Sequence, residues 1–515
     1  MLAEFINEAV LDFHKDEDRK KQREALNLVQ SRLGREYDLT IGTERLKAAK
    51  TFRSINPNKK SELIGIFQSA TAELAEKAIE VASDTFLTWK NTSAEERANI
   101  LLRAASLLRA RRFECNAWMI LEVGKSWVEA DADTAEAIDF CEFYAREALR
   151  YAGPQLLTQL PTERNELKYI PLGVGAIIPP WNFPCAILVG MTTAAFVTGN
   201  TVILKPSSDS PAIGAFFMEV LQEAGLPPGV VTFLTGGGGI VGNTLVQHPK
   251  TRFIAFTGSK EVGLKINEEA AKPRPGQIWI KRVIAEMGGK DFIIVDEDAD
   301  LDAAVRGVLA SAFGYQGQKC SACSRAIVHE KLYSSFVEKL IHKAKDIKVG
   351  PTTDPSVYMG PVINERAMQA ILDYIAEGKR QCKLAFGGEA VAGDGYFIQP
   401  TIFIDAPPDA KIVREEIFGP VLAVLKARSL DEAIALSNDS EYGLTGSIYS
   451  RNQEHIARAK EECFVGNFYV NRKCTGALVG VHPFGGFNMS GTDSKAGGRD
   501  YLLLFMQARA ISEVV

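Results

Sequence analysis

Two side chains in this sequence could form a catalytic pair, one as a nucleophile and one as a general base. The first lies in a polar run and the second beside a glycine-rich turn. Cys320 ends a Gly-Gln-Lys-Cys run in a predicted loop, whereas Cys141 and Cys185 lie in apolar contexts. Because the thiolate is the reactive form of cysteine, polar neighbours favour Cys320 as a nucleophile. Glu286 lies between apolar residues and a Gly-Gly turn, where partial desolvation would raise its pKa towards that of a useful base. The alternatives are a structural cysteine and an exposed glutamate at a strand end.

A proline-rich turn presents a candidate hydrogen-bond donor. Three prolines surround Trp181 and Asn182 within residues 178–184, directly after a predicted buried strand. Proline fixes the backbone, and a rigid backbone is what an aimed donor requires. Asn182 could therefore donate to an oxyanion that develops during catalysis. The plainer interpretation is a stiffened strand-to-helix turn.

Glycine-rich segments after two further predicted strands are candidates for binding a nucleotide. Gly238 and Gly242 belong to a glycine-rich stretch that only approximates Gly-x-Gly-x-x-Gly. Ser259 precedes a helix predicted over 261–271, and the free N–H groups of a helix start suit a pyrophosphate. A flexible turn and an ordinary helix N-cap are the alternatives.

Composition excludes several classes of protein. The 515 residues are 46% hydrophobic and 24% charged, with a net charge of −5, so nucleic-acid binding is not expected. We find no secretion signal and no apolar run of the ~20 residues that span a bilayer, which predicts a cytoplasmic protein away from membranes. The close pair Cys320 and Cys323 lacks nearby histidines, so we expect no metal.

The elements that must position these residues alternate between helices and strands. This pattern predicts an α/β protein of two or three domains with largely parallel sheets, and strand–helix–strand steps of about 25–30 residues are typical of a nucleotide-binding fold. Predicted helices cover 70–90, 94–112, 131–151, 185–198, 212–224, 301–313 and 332–347, and predicted strands cover 174–178, 201–205, 230–234, 252–256 and 292–295.

Seven ordered motifs resemble those of the aldehyde dehydrogenase superfamily. They span roughly 300 residues, a length over which seven matches in order are specific. The motifs are Pro-Trp-Asn at 180–182, Lys-Pro-Ser at 205–207, Phe-Thr-Gly-Ser at 256–259, Glu-Met-Gly-Gly-Lys at 286–290, Gly-Gln-Lys-Cys at 317–320, Glu-Ile-Phe-Gly-Pro at 416–420 and Pro-Phe-Gly-Gly at 483–486.

Within the superfamily the sequence is most similar to the 1-pyrroline-5-carboxylate dehydrogenase branch. Residues 471–480 and the acidic segment 129–133 carry this second resemblance. It implies NAD-dependent oxidation of L-glutamate γ-semialdehyde, the open form of 1-pyrroline-5-carboxylate, to glutamate in the second step of proline degradation. Succinate semialdehyde or a simple aldehyde remains open as substrate.

The resemblance assigns catalytic roles to three residues. Cys320 would attack the aldehyde to form a thiohemiacetal, whose oxyanion the Asn182 side chain and the Cys320 N–H would hold. After hydride transfer to nicotinamide, Glu286 would activate the water that hydrolyses the thioester. A cysteine hydrolase would instead need a histidine base, and only His482 adjoins a motif. A non-enzymatic binding role would not require Cys320, Asn182 and Glu286 together.

The resemblance also implies binding residues. For the cofactor, Lys205 and Glu416 would reach the two riboses, and Ser259 the pyrophosphate. Ser208 lies where strictly NAD-dependent relatives often carry a glutamate, which leaves NADP open. For the substrate, the N–H groups of Gly476 and Ala477 would hold the α-carboxylate. The full implied sets are Ile178, Pro180, Trp181, Lys205, Ser208, Gly238, Gly242, Phe256, Gly258, Ser259, Val262, Glu416 and Phe418 for the cofactor, and Ser321, Gly476, Ala477 and Phe484 for the substrate.

The resulting domain assignment has three parts. An NAD-binding domain takes residues 1–150 and 172–287, and a catalytic domain takes 288–490. An oligomerisation element combines a hairpin-like segment, 151–171, with an extended tail, 491–515. The tail could pair with the hairpin-like segment or with another subunit. Because exposed strand edges are a liability in a monomer, we expect these two segments to pair between subunits of a homo-oligomer, a dimer or higher.

Overall fold

The computed structural model describes residues 3–515. An extended N-terminal segment leads into helices that flank short strands. This first part contains α1 (Asp16–Gln30), β1 (Arg35–Tyr37), β2 (Leu39–Ile41), β3 (Glu44–Leu46), β4 (Thr51–Ile55), β5 (Leu63–Gln68), α2 (Ala72–Trp89), α3 (Ala94–Ala110), α4 (Arg112–Val123) and α5 (Trp127–Ala152). The sequence pattern identified α2, α3 and α5 but none of the five strands, which are too short for a clear alternation.

A regular α/β series follows. It contains β6 (Glu163–Pro171), β7 (Val174–Ile178), α6 (Ala186–Val197), β8 (Thr201–Leu204), α7 (Pro211–Glu223), β9 (Val231–Phe233), α8 (Asn243–Gln247), β10 (Thr251–Thr257), α9 (Lys260–Ala271) and β11 (Arg282–Glu286). The glycine run forms one π-helical turn, Gly238–Gly242, before α8.

The remaining chain forms a second α/β series. It contains β12 (Asp291–Val295), α10 (Leu301–Phe313), β13 (Cys323–His329), α11 (Glu330–Ala344), α12 (Glu365–Gln381), β14 (Lys383–Phe386), β15 (Thr401–Ile404), α13 (Lys411–Arg414), β16 (Val421–Ala427), α14 (Leu430–Asn438), β17 (Tyr442–Gly443), β18 (Thr445–Tyr449), α15 (Gln453–Glu462), β19 (Asn467–Val470), β20 (Phe487–Asn488) and β21 (Met506–Val514). Short 3₁₀ turns cover Gly314–Gly317 and Tyr501–Phe505.

The first large sheet has the strand order β11-β10-β7-β8-β9-β2-β3. Its first five strands are parallel, and their order is that of a doubly wound nucleotide-binding fold, as predicted. The order reverses between β7 and β10, and ligands of such folds bind in the crevice at the carboxyl ends of the strands at this point. Candidate residues 178–182 and 258–259 follow those two ends.

Side chains of the central strands alternate between two cores, one on each face of this sheet. Ile177 of β7 joins the core formed with α3 to α7. Its neighbour Ala176 joins the core formed with α2, α8 and α9. The two-residue period of a strand forces this division and explains why these strands read as continuous apolar runs.

The second large sheet has the order β14-β15-β16-β13-β12-β18-β19, with only the edge strand β14 antiparallel. Ile293 of β12 packs against α10 and α11, and Phe292 packs towards α14 and α15 on the other face. Strand β13 begins at Cys323, so the loop carrying Cys320 enters this sheet at the amino end of a central strand.

The hairpin expected over 151–171 is wrong. Residues 153–162 contain no strand, and β6 is a single strand that pairs antiparallel with β21 of the same chain, from Pro171–Met506 to Glu163–Val514. The tail therefore pairs with the earlier segment of the same chain, which is one of the two partners expected for it, and pairing between subunits stays a prediction. Within residues 3–515 the outer edges of this ribbon carry no further strand.

No helix among the described residues combines the length and apolar character that crossing a bilayer requires.

Candidate active site

Asn182 lies against the loop that carries Cys320. Its side chain is 4% exposed, and its Nδ2 donates a hydrogen bond of 3.0 Å to the carbonyl oxygen of Gln318. The proline-stiffened turn after β7 is thereby joined to the loop before β13, two residues from the thiol. Because an amide NH₂ carries two hydrogens, this bond leaves one N–H of Asn182 for a further acceptor.

The Glu-Met-Gly-Gly-Lys run passes directly against the same loop. A Cβ on Gly289 would lie 2.6 Å from the carbonyl oxygen of Cys320, and a Cβ on Gly317 would lie 2.2 Å from that of Gly419. Both approaches are too short for any side chain, so glycine is required at both positions. Three motifs that are far apart in the sequence therefore touch through their backbones.

Glu286 ends β11 beside this junction. Its Oε1 accepts hydrogen bonds from the hydroxyl of Ser494 and, at 3.4 Å, from the Ser494 N–H. Its Oε2 is buried and has no partner within residues 3–515. Burial raises the pKa of Glu286 to about 7, and the Ser494 bonds partly oppose that rise. A carboxylate with this pKa exchanges protons readily near neutral pH.

The Cys320 thiol is not activated by its surroundings in the way that the sequence suggested. Burial raises its pKa well above the usual value, and the nearby carboxylates of Asp291, Glu286 and Glu416 raise it further. The thiol is therefore protonated at neutral pH and needs a proton acceptor as it attacks.

The crevice at the switch point of the first sheet lies between the carboxyl ends of β7 and β10, which are adjacent strands. Ile178, Pro180 and Trp181 follow one end, and Gly258 and Ser259 follow the other. The Ser259 hydroxyl accepts from the N–H of Val262 at 3.4 Å, so Ser259 is an ordinary N-cap of α9. The amino end of α9 nevertheless lies at the point where this fold class binds phosphates.

Lys205 follows β8 and is 5% exposed. Within the described residues its Nζ donates only to the carbonyl oxygen of the adjacent Pro206, at 3.2 Å, and burial lowers its pKa to about 8. A buried ammonium with so few partners suits a polar ligand such as ribose hydroxyls. Ser208 is exposed nearby, with no acidic side chain at that position.

Two residues of the second sheet's loops reach the crevice. Glu416 accepts the N–H of Gly289 at 3.0 Å, and burial raises its pKa to about 7. Phe418, with the left-handed backbone angle φ of 57°, packs edge-on against Trp181 with ring centroids 5.5 Å apart. These contacts join loops from both sheets around one cleft.

The remaining candidate cofactor residues differ in whether they face open space or the protein core. A Cβ on Gly238 or Gly242 would meet no atom within 4 Å, so the space beside this turn is open. Phe256 is buried, and a Cβ on Gly258 would lie 2.5 Å from its ring. The Phe256 side chain therefore supports the turn from the core and does not line open space.

The 475–480 loop is tied to the Cys320 loop. The Cys474 thiol donates to the carbonyl oxygen of Ser321 at 3.4 Å. Arg472 donates to the carbonyl oxygens of Thr475 and Gly476, at 3.0 and 2.9 Å. Within residues 3–515 the N–H groups of Gly476 and Ala477 donate to no protein acceptor, so they are available to an anion.

The sequence model of the aldehyde dehydrogenase family matches residues 45–511. The chain belongs to the aldehyde dehydrogenase family. It is 53% identical to 1-pyrroline-5-carboxylate dehydrogenase of Geobacillus sp. (strain WCH70) and 52% identical to that of Bacillus cytotoxicus, over 100% of each chain. A solved structure of 1-pyrroline-5-carboxylate dehydrogenase from Thermus with bound NAD superposes with a TM-score of 0.98 at 49% identity, covering 100% of both chains. The fold and family expected from the seven motifs are thus confirmed.

Cys323 and His482, which the zinc-site and cysteine-hydrolase alternatives would use, both form contacts within the protein. Cys323 is 1% exposed at the start of β13, and its thiol donates to the carbonyl oxygen of Arg325 at 3.5 Å. His482 accepts the N–H of Leu478 and lies beside Arg472, so it is engaged in the 475–480 loop. Within residues 3–515 no group of three or more metal-ligating side chains is arranged around an ion site.

Sequence reasoning missed Ser494, which binds the Glu286 carboxylate, and the cations around the 475–480 loop. Arg472 and Lys473 flank this loop, and Lys319 is close enough to lower the pKa of Lys473. A serine 208 positions after its partner gives no local pattern. The basic pair beside the loop was a usable signal for an anionic ligand.

Proposed function

We propose that this aldehyde dehydrogenase oxidises L-glutamate γ-semialdehyde, in equilibrium with 1-pyrroline-5-carboxylate, to L-glutamate with NAD, the second step of proline degradation. The observation that carries the proposal is the convergence of Asn182, Glu286 and the Cys320 loop in one cleft. Identity above 50% over the full length to relatives that bear this name supports the choice of substrate.

The chain's own residues account for each bond that changes. Cys320 Sγ adds to the aldehyde carbon as the thiol proton passes to solvent water, and the free N–H of Asn182 and the N–H of Cys320 donate to the resulting oxyanion. A bound nicotinamide supplies the acceptor for the hydride that leaves the same carbon. The Glu286 carboxylate then takes a proton from water as the water oxygen attacks the Cys320 thioester. The C–S bond breaks, Glu286 returns its proton to the Cys320 thiolate, and the carboxylic acid product ionises as it leaves.

The crevice residues fit a dinucleotide. Lys205 would bind the adenosine ribose and Glu416 the nicotinamide ribose, and the start of α9 at Ser259 would receive the pyrophosphate. The open space at Gly238 and Gly242 admits close approach of a ligand. Since Ser208 presents no charge against a 2′-phosphate, the proposal leaves use of NADP open.

Ser494 sets the protonation of Glu286, which gives a test of the base. Because the Ser494 hydroxyl stabilises the carboxylate and alanine lacks it, Ser494→Ala should raise the pKa of Glu286 above its value of about 7. The base works only when ionised, so the acid limb of the kcat profile should move to higher pH, by about one unit for one charge-assisted bond. Ser494→Thr should restore the wild-type limb. An unmoved limb in Ser494→Ala would show that another group is the base.

The 475–480 loop is the proposed α-carboxylate site. The N–H groups of Gly476 and Ala477 would donate to the carboxylate, with the Ser321 hydroxyl on the other side. The positive charges of Arg472 and Lys473 beside the loop favour an anionic group there. Phe484, whose backbone pairs with Ala496, completes the proposed wall.

A bulky side chain in the 475–480 loop would test whether the substrate carries an α-carboxylate. Gly476→Val adds a branched side chain at a residue with φ of 80°. We expect kcat/KM for glutamate semialdehyde to fall about ten- to a hundredfold, the value of one charge-assisted hydrogen bond, with a far smaller loss on propanal. Leu478→Ala, on an exposed neighbour in the loop, is the matched control. Equal losses on both aldehydes would mean general damage, and a wild type that prefers propanal would refute the substrate.

We also propose that the protein is a homo-oligomer, a dimer or higher, assembled through the ribbon of β6 and β21. The ribbon's side chains are mostly exposed on β21 and half-buried on β6, and its outer edges are free within residues 3–515. Deleting residues 507–515 removes most of β21 and spares Phe505 and Met506, which lie in the core. Light scattering should then report fewer subunits per particle than for the full chain. The same mass for both forms would contradict this role of the ribbon.

A further inference from the structure

Residues 3–14 lie outside the part that the family's sequence model matches, yet they are bound to the body of the protein. Residues 3–14, here called the N-terminal arm, contain no helix or strand. The N–H of Glu8 donates to Asp139 at 2.7 Å, and that of Leu11 donates to Asp131, also at 2.7 Å. Both aspartates belong to α5, so the arm is fixed along this helix.

The arm also contacts the 475–480 loop directly. Asn7 Nδ2 donates both to Asp139 Oδ2, at 2.8 Å, and to the carbonyl oxygen of Val479, at 2.9 Å. Phe5 packs edge-on against Phe143 of α5 with ring centroids 5.2 Å apart. A Cβ on Gly480 would lie 3.1 Å from each of these rings, so the loop rests on the aromatic pair.

The loop is thus held from two sides. Arg472 binds the carbonyl oxygens of Thr475 and Gly476 at its start, and Asn7 binds that of Val479 at its end. Between these supports lie the N–H groups of Gly476 and Ala477. A carboxylate site made of backbone donors depends on the path of the backbone, because no side-chain rotamer can compensate for a shift.

We propose that Asn7 and Phe5 are positioning residues that set specificity by bracing the 475–480 loop for the substrate carboxylate. This inference rests on the proposed function for its substrate but not for the brace itself. Asn7 acts through the loop and touches neither Cys320 nor the reacting carbon. It should therefore affect aldehydes that carry a carboxylate and spare those that do not.

The kinetic test compares Asn7→Ala and Phe5→Ala with Ile6→Ala, whose side chain is 85% exposed in the same arm. Asn7→Ala removes the bonds to Asp139 and to the Val479 carbonyl oxygen, and loss of the second, which holds the loop, should raise KM for glutamate semialdehyde about three- to tenfold with little change in kcat. The kcat/KM for propanal should stay within about twofold, and Ile6→Ala should match wild type on both aldehydes. Equal losses on both aldehydes would overturn the specificity role.

Hydrogen exchange tests the brace without any substrate. The N–H of Gly480 donates to the carbonyl oxygen of Gly497 at 2.8 Å and should be protected in wild type. Exchange of peptides covering 474–482 should be several-fold faster in Asn7→Ala than in Ile6→Ala. Unchanged exchange would overturn the brace. If the wild type preferred propanal while exchange still rose, the proposed substrate would fail and the brace would stand.

Discussion

Cys320→Ala should abolish aldehyde oxidation while leaving cofactor binding intact. Alanine cannot form the thiohemiacetal, so kcat should fall by about 10⁴-fold or more, the scale seen when an enzyme loses its nucleophile. Titration with NAD, followed by protein fluorescence, should give a dissociation constant close to that of wild type. The crevice residues Lys205 and Ser259 lie on other elements and are unchanged by the substitution.

Cys323→Ala is the matched control for this prediction. Cys323 is three residues away, fully buried at the start of β13, with its thiol directed to the carbonyl oxygen of Arg325. The variant should retain most activity and lose a small amount of stability, because the change removes one buried sulfur. If Cys323→Ala were inactive and Cys320→Ala active, the nucleophile would be misassigned.

Glu286→Gln should slow hydrolysis of the thioester more than its formation. Glutamine keeps the size of the side chain and a hydrogen bond to Ser494 but cannot take a proton from water, and general-base catalysis is worth about 10²- to 10⁴-fold. Rapid mixing should give a burst of NADH of about one equivalent per site, followed by a slow steady state. A uniform slowing without a burst would assign Glu286 to binding or structure.

A pH profile and chemical rescue would each test the role of Glu286 in hydrolysis of the thioester. In wild type, the pKa of about 7 predicts that hydrolysis weakens as the pH falls below 7, because the carboxylate becomes protonated and cannot act as a base. That acid limb should disappear in Glu286→Gln. Hydroxylamine attacks thioesters without a protein base, so it should restore turnover of the variant after the burst. Failure of hydroxylamine to do so would place the block before the thioester.

The sequence by itself determined the fold class and the family, and it supplied the candidate residues of the proposed centre. Apolar periodicity located α2, α3, α5 and the buried strands β7, β8 and β10, because burial on a helix or strand repeats over a few residues. The ordered motifs determined the aldehyde dehydrogenase family. Asn182, Glu286 and Cys320 were recognisable since each lies in a short segment with unusual glycine or proline content.

Only the tertiary structure decided which of these segments meet and what surrounds them. The approach of Gly289 to Cys320 and the bond from Ser494 to Glu286 join residues that no local pattern relates. Burial among carboxylates keeps the Cys320 thiol protonated, although its sequence neighbours are polar. The predicted hairpin was wrong for the same reason: β6 finds its partner in β21, at the far end of the chain. Both strand pairing and the pKa of a side chain depend on which residues lie next to it in space. Residues far apart in the sequence become neighbours only when the chain folds.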